Sequence, residues 1–199
     1  MQTVAIEGTV RTELGKKAAK AMRKEGLVPC VAYGGGKTIN FTTPSAAFKS
    51  LIFTSDFQLV EITYEGEKYT TILKDAQYHP VNDKLLHADF LLLVPGHSLI
   101  AEIPVRLTGT APGVKLGGKL MHVTRKVKIK TTPENLVDHV SASIAKLDLG
   151  KSIRVRDIDA VENVEIMTSP GIPLATVEIP RALRSAQTAA ATAAATAKK

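Results

Sequence analysis

The chain has 199 residues, 44% of them hydrophobic, with 26 Lys and Arg against 19 Asp and Glu and a net charge of +7. Enough apolar side chain is present to bury a core in one or two domains, which excludes a chain disordered throughout. No stretch of about 18 apolar residues exists to form a spanning helix, and the surplus of positive charge favours an acidic partner, either nucleic acid or an anionic membrane surface.

The first residues, MQTVAIEGTV, alternate as a strand does and lack the build of a signal peptide, so a cytoplasmic protein is expected. Val4, Ile6 and Val10 mark the buried side of that strand. Gly15 to Glu25 reads as a helix, closed by Gly26 as a C-terminal cap. Strands are expected at Leu27–Tyr33 and Ile39–Thr42 around the Gly34–Gly36 turn, then a short helix at Ser45–Ile52 entered from Pro44. FQLVEITY and KYTTILKDAQY flank a Glu65–Gly66 turn as a hairpin. After the loop YHPVNDK comes LLHADFLLLV, a near-continuous apolar run of strand length.

Pro95–Gly96 punctuates the chain, and the alternating segments IAEIPVRL, KLMHVTRKVKIKTT, SIRVRDI, NVEIMT and LATVEI follow. The expected architecture is mainly β with short helices: an N-terminal β-barrel over 1–95, an all-β domain over 96–182, and a disordered Ala/Thr-rich tail over 183–199.

The charge is unevenly spread. Residues 1–94 hold 11 basic and 10 acidic side chains, yet six of the cations fall between Arg11 and Lys24, opposed within that span only by Glu13. On a helix, Lys16, Lys20, Arg23 and Lys24 share one face, while Leu14, Ala18, Ala21 and Met22 share the other. A second basic series, Lys115, Lys119, Arg125, Lys126, Lys128 and Lys130, runs without an acid between Glu102 and Glu134. It reads equally as a second anionic contact or as a solvated strand face. The lone cysteine, Cys30, sits among Val28, Val31 and Ala32 and reads as a buried, unreactive strand residue.

The stretches VRTELGKKAAKAMRKEGLVPCVAYGGG, LKDAQYHPVNDKLLHADFLLL, GVKLGGKL and LDLGKSIRVRDI, in this order, resemble the bacterial large-subunit ribosomal protein twenty-five family in its long two-domain form, the general stress protein or CTC type. The resemblance implies a barrel domain that binds 5S ribosomal RNA and an appended β-rich domain at the surface of the large ribosomal subunit. It implies neighbouring ribosomal proteins as further partners, a monomer away from the ribosome, no membrane contact, no cofactor and no catalytic or metal-binding residue. The RNA-facing positions carried over are Arg11, Lys16, Lys20, Arg23, Tyr33, Gln77, His87 and Asp89. Lys20 stands where relatives commonly carry arginine, and an ammonium is a point charge where a guanidinium is a two-pronged fork.

The chemistry of those residues fits folded RNA. Arg11, Lys16, Lys20 and Arg23 suit phosphates and counterion release. Tyr33 offers a ring and a hydroxyl, while Gln77, His87 and Asp89 can address base edges and 2′-hydroxyls. Asp89 repels phosphate, so its use is to accept from a base amino group or to orient His87 or an arginine.

Other readings have less support. Without the family resemblance, Tyr33 is an ordinary core-edge tyrosine, and His87 and Asp89 are a pair at a barrel rim. His79, Asp83, His87, Asp89 and His97 invite a metal-dependent hydrolase, but no His-Glu-x-x-His helix or cysteine cluster accompanies them. GGGKT at 34–38 ends like a phosphate loop, yet Val31 stands where its first glycine belongs. A barrel that grips transfer RNA, as in glutaminyl-tRNA synthetase, lacks its catalytic domain here. A stress-related RNA-binding protein acting off the ribosome is the remaining alternative.

Overall fold

The computed structural model describes residues 1–161 and 163–180, which form two compact units. The first comprises residues 1–101 with 130–138, and the second 102–129 with the residues from 139 on. The Ala/Thr-rich stretch at 183–199 lies outside the described residues.

The first unit is a closed six-stranded barrel. Its elements in chain order are β1 (Gln2–Val10), α1 (Lys16–Lys24), β2 (Leu27–Gly34), β3 (Lys37–Pro44), a 3-10 turn at Ser45–Phe48 leading into α2 (Lys49–Ile52), β4 (Gln58–Tyr64), β5 (Glu67–Tyr78) and β6 (Leu85–Leu92). Around the barrel the order is β1-β3-β2-β6-β5-β4. Two neighbouring pairs are parallel, β1 with β4 and β2 with β6. Since β3 lies between β1 and β2, α1 is a crossover carrying the chain from one to the other, and it packs on β2.

Alternation in the strands builds the core. Ile6, Cys30, Ala32, Phe41, Val60, Ile62, Ala88 and Phe90 are buried inside the barrel. Phe90 is its aromatic centre, with ring centroids 5.8 Å from Phe41 and 6.2 Å from Phe48. Phe48 and Leu51 belong to the same cluster, so the Ser45–Ile52 turns act as a plug contributing side chains to the core.

Gly35 and Gly36 form the two-residue loop between β2 and β3, closed by the Gly34–Lys37 pair, with φ of 57° and 77°. Two successive positive φ angles are what a tight hairpin with right-handed twist requires, and glycine meets the requirement without strain. GGGKT is therefore a hairpin turn.

In the second half of the chain lie β7 (Leu99–Thr108), α3 (Pro112–Lys115), β8 (Lys119–His122), β9 (Lys126–Thr131), β10 (Val140–Ser143), β11 (Ser152–Arg154), β12 (Glu165–Ile166) and β13 (Pro173–Glu178). They make a four-stranded sheet, β10-β7-β9-β12, and a three-stranded sheet, β11-β13-β8.

Several expectations need correction here. KLMHVTRKVKIKTT is two strands in different sheets, SIRVRDI is strand only to Arg154 before a 3-10 turn, and NVEIMT pairs only at Glu165–Ile166. The β10 strand VSAS and the single turn α3 were not foreseen. β10 alternates over only four residues, too few to stand out as a period, whereas Pro112 at the start of α3 reads as a turn signal in a short segment. Among the described residues no helix is long and apolar enough to cross a membrane.

Candidate RNA interface on the barrel wall

The site is built on the outer wall of β2, β6 and β5. Cys30 and Ala32 point into the barrel, which turns Val31 and Tyr33 outward; Ala88 and Phe90 point inward, which turns His87 and Asp89 outward. The registers fix which of these residues are neighbours. Gln77 lies opposite His87, Asp75 opposite Asp89, and Asp89 opposite Val31, which in turn lies opposite Asn40. Arg11 joins the end of this row by donating its backbone N–H to the Asn40 carbonyl at 3.3 Å.

Two β-bulges bracket the segment. The β5–β6 register steps between Leu73 and Asp75, leaving Lys74 as an extra residue, and steps back between Gln77 and Tyr78, leaving Leu86 as the extra one. Bulges re-aim side chains and add local twist. The pairs Asp75–Asp89 and Gln77–His87 thus sit on a short stretch of ladder whose direction is set at both ends.

His87 Nδ1 lies 2.6 Å from Asp89 Oδ1, with the two side chains 23% and 30% exposed. The carboxylate accepts the Nδ1 proton, fixes the ring plane and leaves Nε2 as the atom available to a ligand. In the neutral imidazole Nε2 is an acceptor; in the imidazolium it is a donor.

Arg23 is anchored, a role its sequence position does not reveal. Its Nε donates to the carbonyl of the bulged Leu86 at 2.9 Å, tying the last turn of α1 to the residue before His87. The terminal guanidinium nitrogens stay outside that bond. Arg11 is anchored locally, its Nε donating to the Glu13 carbonyl at 3.0 Å.

The helix itself differs in detail from the expected division of faces. Ala18, Ala19 and Met22 are its half-buried residues, whereas Leu14 and Ala21 are exposed, Leu14 at 65%. Leu14 precedes the helix, which begins only after Gly15, so helical spacing does not apply to it. Lys16, Lys17, Lys20, Arg23 and Lys24 are all exposed. Among the described residues none of these four lysines has an ion-pair partner. Gly26, with φ 82°, follows the helix and donates to the Arg23 carbonyl, as a C-terminal cap does.

The expected residues are therefore brought together to different degrees. Gln77, His87 and Asp89 are immediate neighbours, Arg23 is tied to the backbone beside them, and Tyr33 shares the outer face of β2 with Val31. Lys16 and Lys20 stand on the crossover helix without a direct hydrogen bond to the others. Asp75 and Asn40 were missed. Asp75 lies two residues before Gln77, so period-two spacing already placed it on the same face; Asn40 carried no such signal, because its position depends on strand pairing.

Cys30 lies directly behind this wall. Its thiol is pushed up to about 12, chiefly by burial and to a smaller extent by the charge of Asp89, against a backbone hydrogen bond at Ala88 and the charge of Arg11, which act in the opposite direction. The same two charged residues of the site thus reach the barrel interior electrostatically.

Among the described residues no group of three or more His, Cys, Asp or Glu side chains is placed to hold a metal ion. The histidines of the hydrolase alternative have other uses: His79 Nδ1 accepts the Val81 N–H at 3.2 Å within its own turn, and His87 holds Asp89. The second basic series is also partly engaged. Lys126, Lys128 and Lys130 alternate on the exposed side of β9, and Lys128 Nζ reaches Glu102 at 3.7 Å, an acid distant in sequence.

Comparison with known proteins identifies the family of each half of the chain. Residues 6–90 match the Ribosomal L25p family, and residues 98–181 match the ribosomal protein TL5 C-terminal domain. The chain is 40% identical over 191 residues to the large ribosomal subunit protein bL25 of Cytophaga hutchinsonii, covering 96% of this chain and 99% of that one. It is 41% identical to the protein of the same name from Amoebophilus asiaticus, over 93% of this chain and 94% of the relative. The Porphyromonas gingivalis protein is likewise 41% identical, over 94% and 97% respectively. Proteins of this kind are structural components and not enzymes, so the hydrolase alternative falls away. The chain belongs to the bacterial bL25 family, in the long form that joins an L25p domain to a TL5 C-terminal domain.

Proposed function

We propose that this protein is a non-catalytic constituent of the bacterial large ribosomal subunit, located with ribosomes in the cytoplasm, and that its barrel binds 5S rRNA. The family relatives carry the name of a large-subunit protein, which supports the first part. The observation that carries the second is the His87–Asp89 pair held beside Gln77 on a bulge-bracketed outer wall, with the cations of α1 alongside.

On this reading the residues divide their work. Lys16, Lys20 and the free nitrogens of Arg23 neutralise phosphates. Arg11 adds a cation at the far end of the row. His87 Nε2, oriented by Asp89, and the Gln77 amide address base edges or 2′-hydroxyls, and Tyr33 presents its ring and hydroxyl from β2. The proposed division is an RNA-binding domain over 1–95 and an appended domain over 96–182 that meets neighbouring parts of the subunit.

The test is a gel-shift titration of the full chain against isolated 5S rRNA at several salt concentrations, with transfer RNA as competitor. The expected result is a 5S-selective complex whose affinity falls with salt. Equal affinity for both RNAs, or no complex at low salt, overturns the assignment.

A further inference from the structure

A cleft of about 750 Å³ opens beside the C-terminal end of α1, walled by the start of β2, by the turns that follow β3 and by the β5–β6 loop. Four cations line it, Arg23, Lys24, Lys49 and Lys84, against one carboxylate, Asp83. Phe53 and Tyr78 line it as well, and both rings are held in contact with solvent, at 83% and 44% exposure. Barrel packing does not account for them, because the core aromatics are Phe41, Phe48 and Phe90.

The loop between Tyr78 and Lys84 is closed on itself. His79 donates its N–H to the Lys84 carbonyl at 2.9 Å, Asp83 donates to the His79 carbonyl at 3.0 Å, and the Lys84 N–H reaches Asn82 Oδ1 at 3.2 Å. Asp83 adopts φ 52° to complete it. The cleft wall is thus preorganised, which lowers the ordering cost of binding.

We propose that this cleft is a second RNA contact that takes one unpaired nucleotide, its base against the rings of Phe53 and Tyr78 and its phosphate among Lys24, Lys49 and Lys84. The inference rests on the reading of this chain as an RNA-binding protein and extends it to a site outside the β2–β6–β5 wall. Charge complementarity selects an anionic occupant, and exposed aromatic rings beside cations are the arrangement that holds single-stranded nucleic acid by stacking and phosphate neutralisation. An acidic peptide would use the cations and leave the rings unexplained. Arg23 connects the two contacts, since its Nε is spent on Leu86 beside His87 while its side chain also lines the cleft.

The experiment is fluorescence anisotropy with the full chain, using a labelled short single-stranded RNA of mixed sequence and, separately, 5S rRNA. Phe53→Ala combined with Tyr78→Leu is expected to weaken the single-stranded RNA by about tenfold or more. Val123→Ala, at an exposed position in the second half of the chain, is expected to leave it unchanged. Both aromatic positions are exposed, so an unchanged melting temperature checks the fold, and photocrosslinking from 4-thiouridine RNA should map to the Phe53–Tyr78 region. Unaltered binding by the double variant, or displacement of the RNA by an equal concentration of a glutamate-rich peptide, overturns the proposal. Binding of 5S rRNA with no affinity for the single strand counts against the cleft alone; single-strand binding that needs Phe53 and Tyr78, without 5S selectivity, supports the cleft and counts against the 5S assignment.

Discussion

His87 Nδ1 and Asp89 Oδ1 are 2.6 Å apart on the outer face of one strand, and the backbone of the residue preceding His87 is the acceptor for Arg23 Nε. A histidine oriented by a carboxylate presents a defined Nε2, and a carboxylate so engaged repels phosphate less than a bare one. Replacing Asp89 by asparagine keeps the volume but lets the amide present either its oxygen or its nitrogen to the ring. Asp89→Asn is expected to weaken 5S rRNA binding by about 1–3 kcal/mol. Transfer RNA binding should stay level or rise, since a negative charge has gone. Parallel titrations with the two RNAs measure the loss of selectivity.

Arg23 and Lys20 make a second contrast. Lys20 is an exposed ammonium with no bond within the described residues, so Lys20→Ala should remove about one unit from the slope of log affinity against log salt. Arg23→Lys keeps the charge and loses the Nε bond to Leu86. Its salt slope should match the parent protein while 5S affinity falls, because the helix end and the bulge are no longer tied. Titrations at a series of salt concentrations separate the two cases.

The barrel was legible because its strands either alternate, as β4 does, or are apolar runs of strand length, as β2 and β6 are, and because the tight turns at Gly35–Gly36 and Glu65–Gly66 carry glycine; Ile6, Phe41, Val60, Ile62 and Phe90 mark the inner face. The site was legible in part. Period-two spacing puts His87 with Asp89, but only the strand register puts Gln77 opposite His87 and Val31 opposite Asp89. The anchoring of Arg23 was not legible at all, since its acceptor is a backbone carbonyl 63 residues away, exposed by a bulge that leaves no residue signature. The same limit explains the basic series of the second half, where Glu102 meets Lys128 only through pairing. In the second half, strands of two to four residues are too short for periodicity to register, so neither the existence of β10 nor the end of β11 at Arg154 has a signal in the sequence.

Phe90 tests the barrel core. It is fully buried and contacts both Phe41 from β3 and Phe48 from the plug. Phe90→Ala leaves a cavity where three aromatic rings met and should cost about 3–5 kcal/mol. Phe90→Leu should cost less, and denaturant unfolding of both variants orders them.

His122 gives the second half of the chain a pH dependence on the acid side. It lies on β8 opposite Ala175, and its Nε2 is buried without a hydrogen-bond partner among the described residues. Burial first, then the charge of Arg125, pulls its pKa below the ordinary 6.5. The folded state therefore binds this proton less readily than the unfolded state. Its contribution is fully present above pH 6.5 and is lost as the pH falls through the lowered value. His122→Gln should flatten the decline in melting temperature below pH 6.5, read by thermal unfolding across an acid series.

Cys30 sets a limit on the alkaline side. Its side chain is fully buried behind the Asp89 wall, and its thiol is raised from 9.0 to about 12, chiefly by burial. Below pH 9 the thiol is protonated in folded and unfolded chains alike and stability does not depend on it. Between pH 9 and 12 the unfolded chain ionises while the folded chain keeps its proton, so stability falls with rising pH, by an amount on the order of 4 kcal/mol across the window. Cys30→Ala should abolish that part of the alkaline decline even as it lowers stability at neutral pH through the lost sulfur packing. Native protein at pH 8 should resist an aromatic disulfide reagent and react fully once denatured; rapid labelling of the native fold would mean that the barrel opens at β2 and that the buried thiol does not have the protection assigned to it.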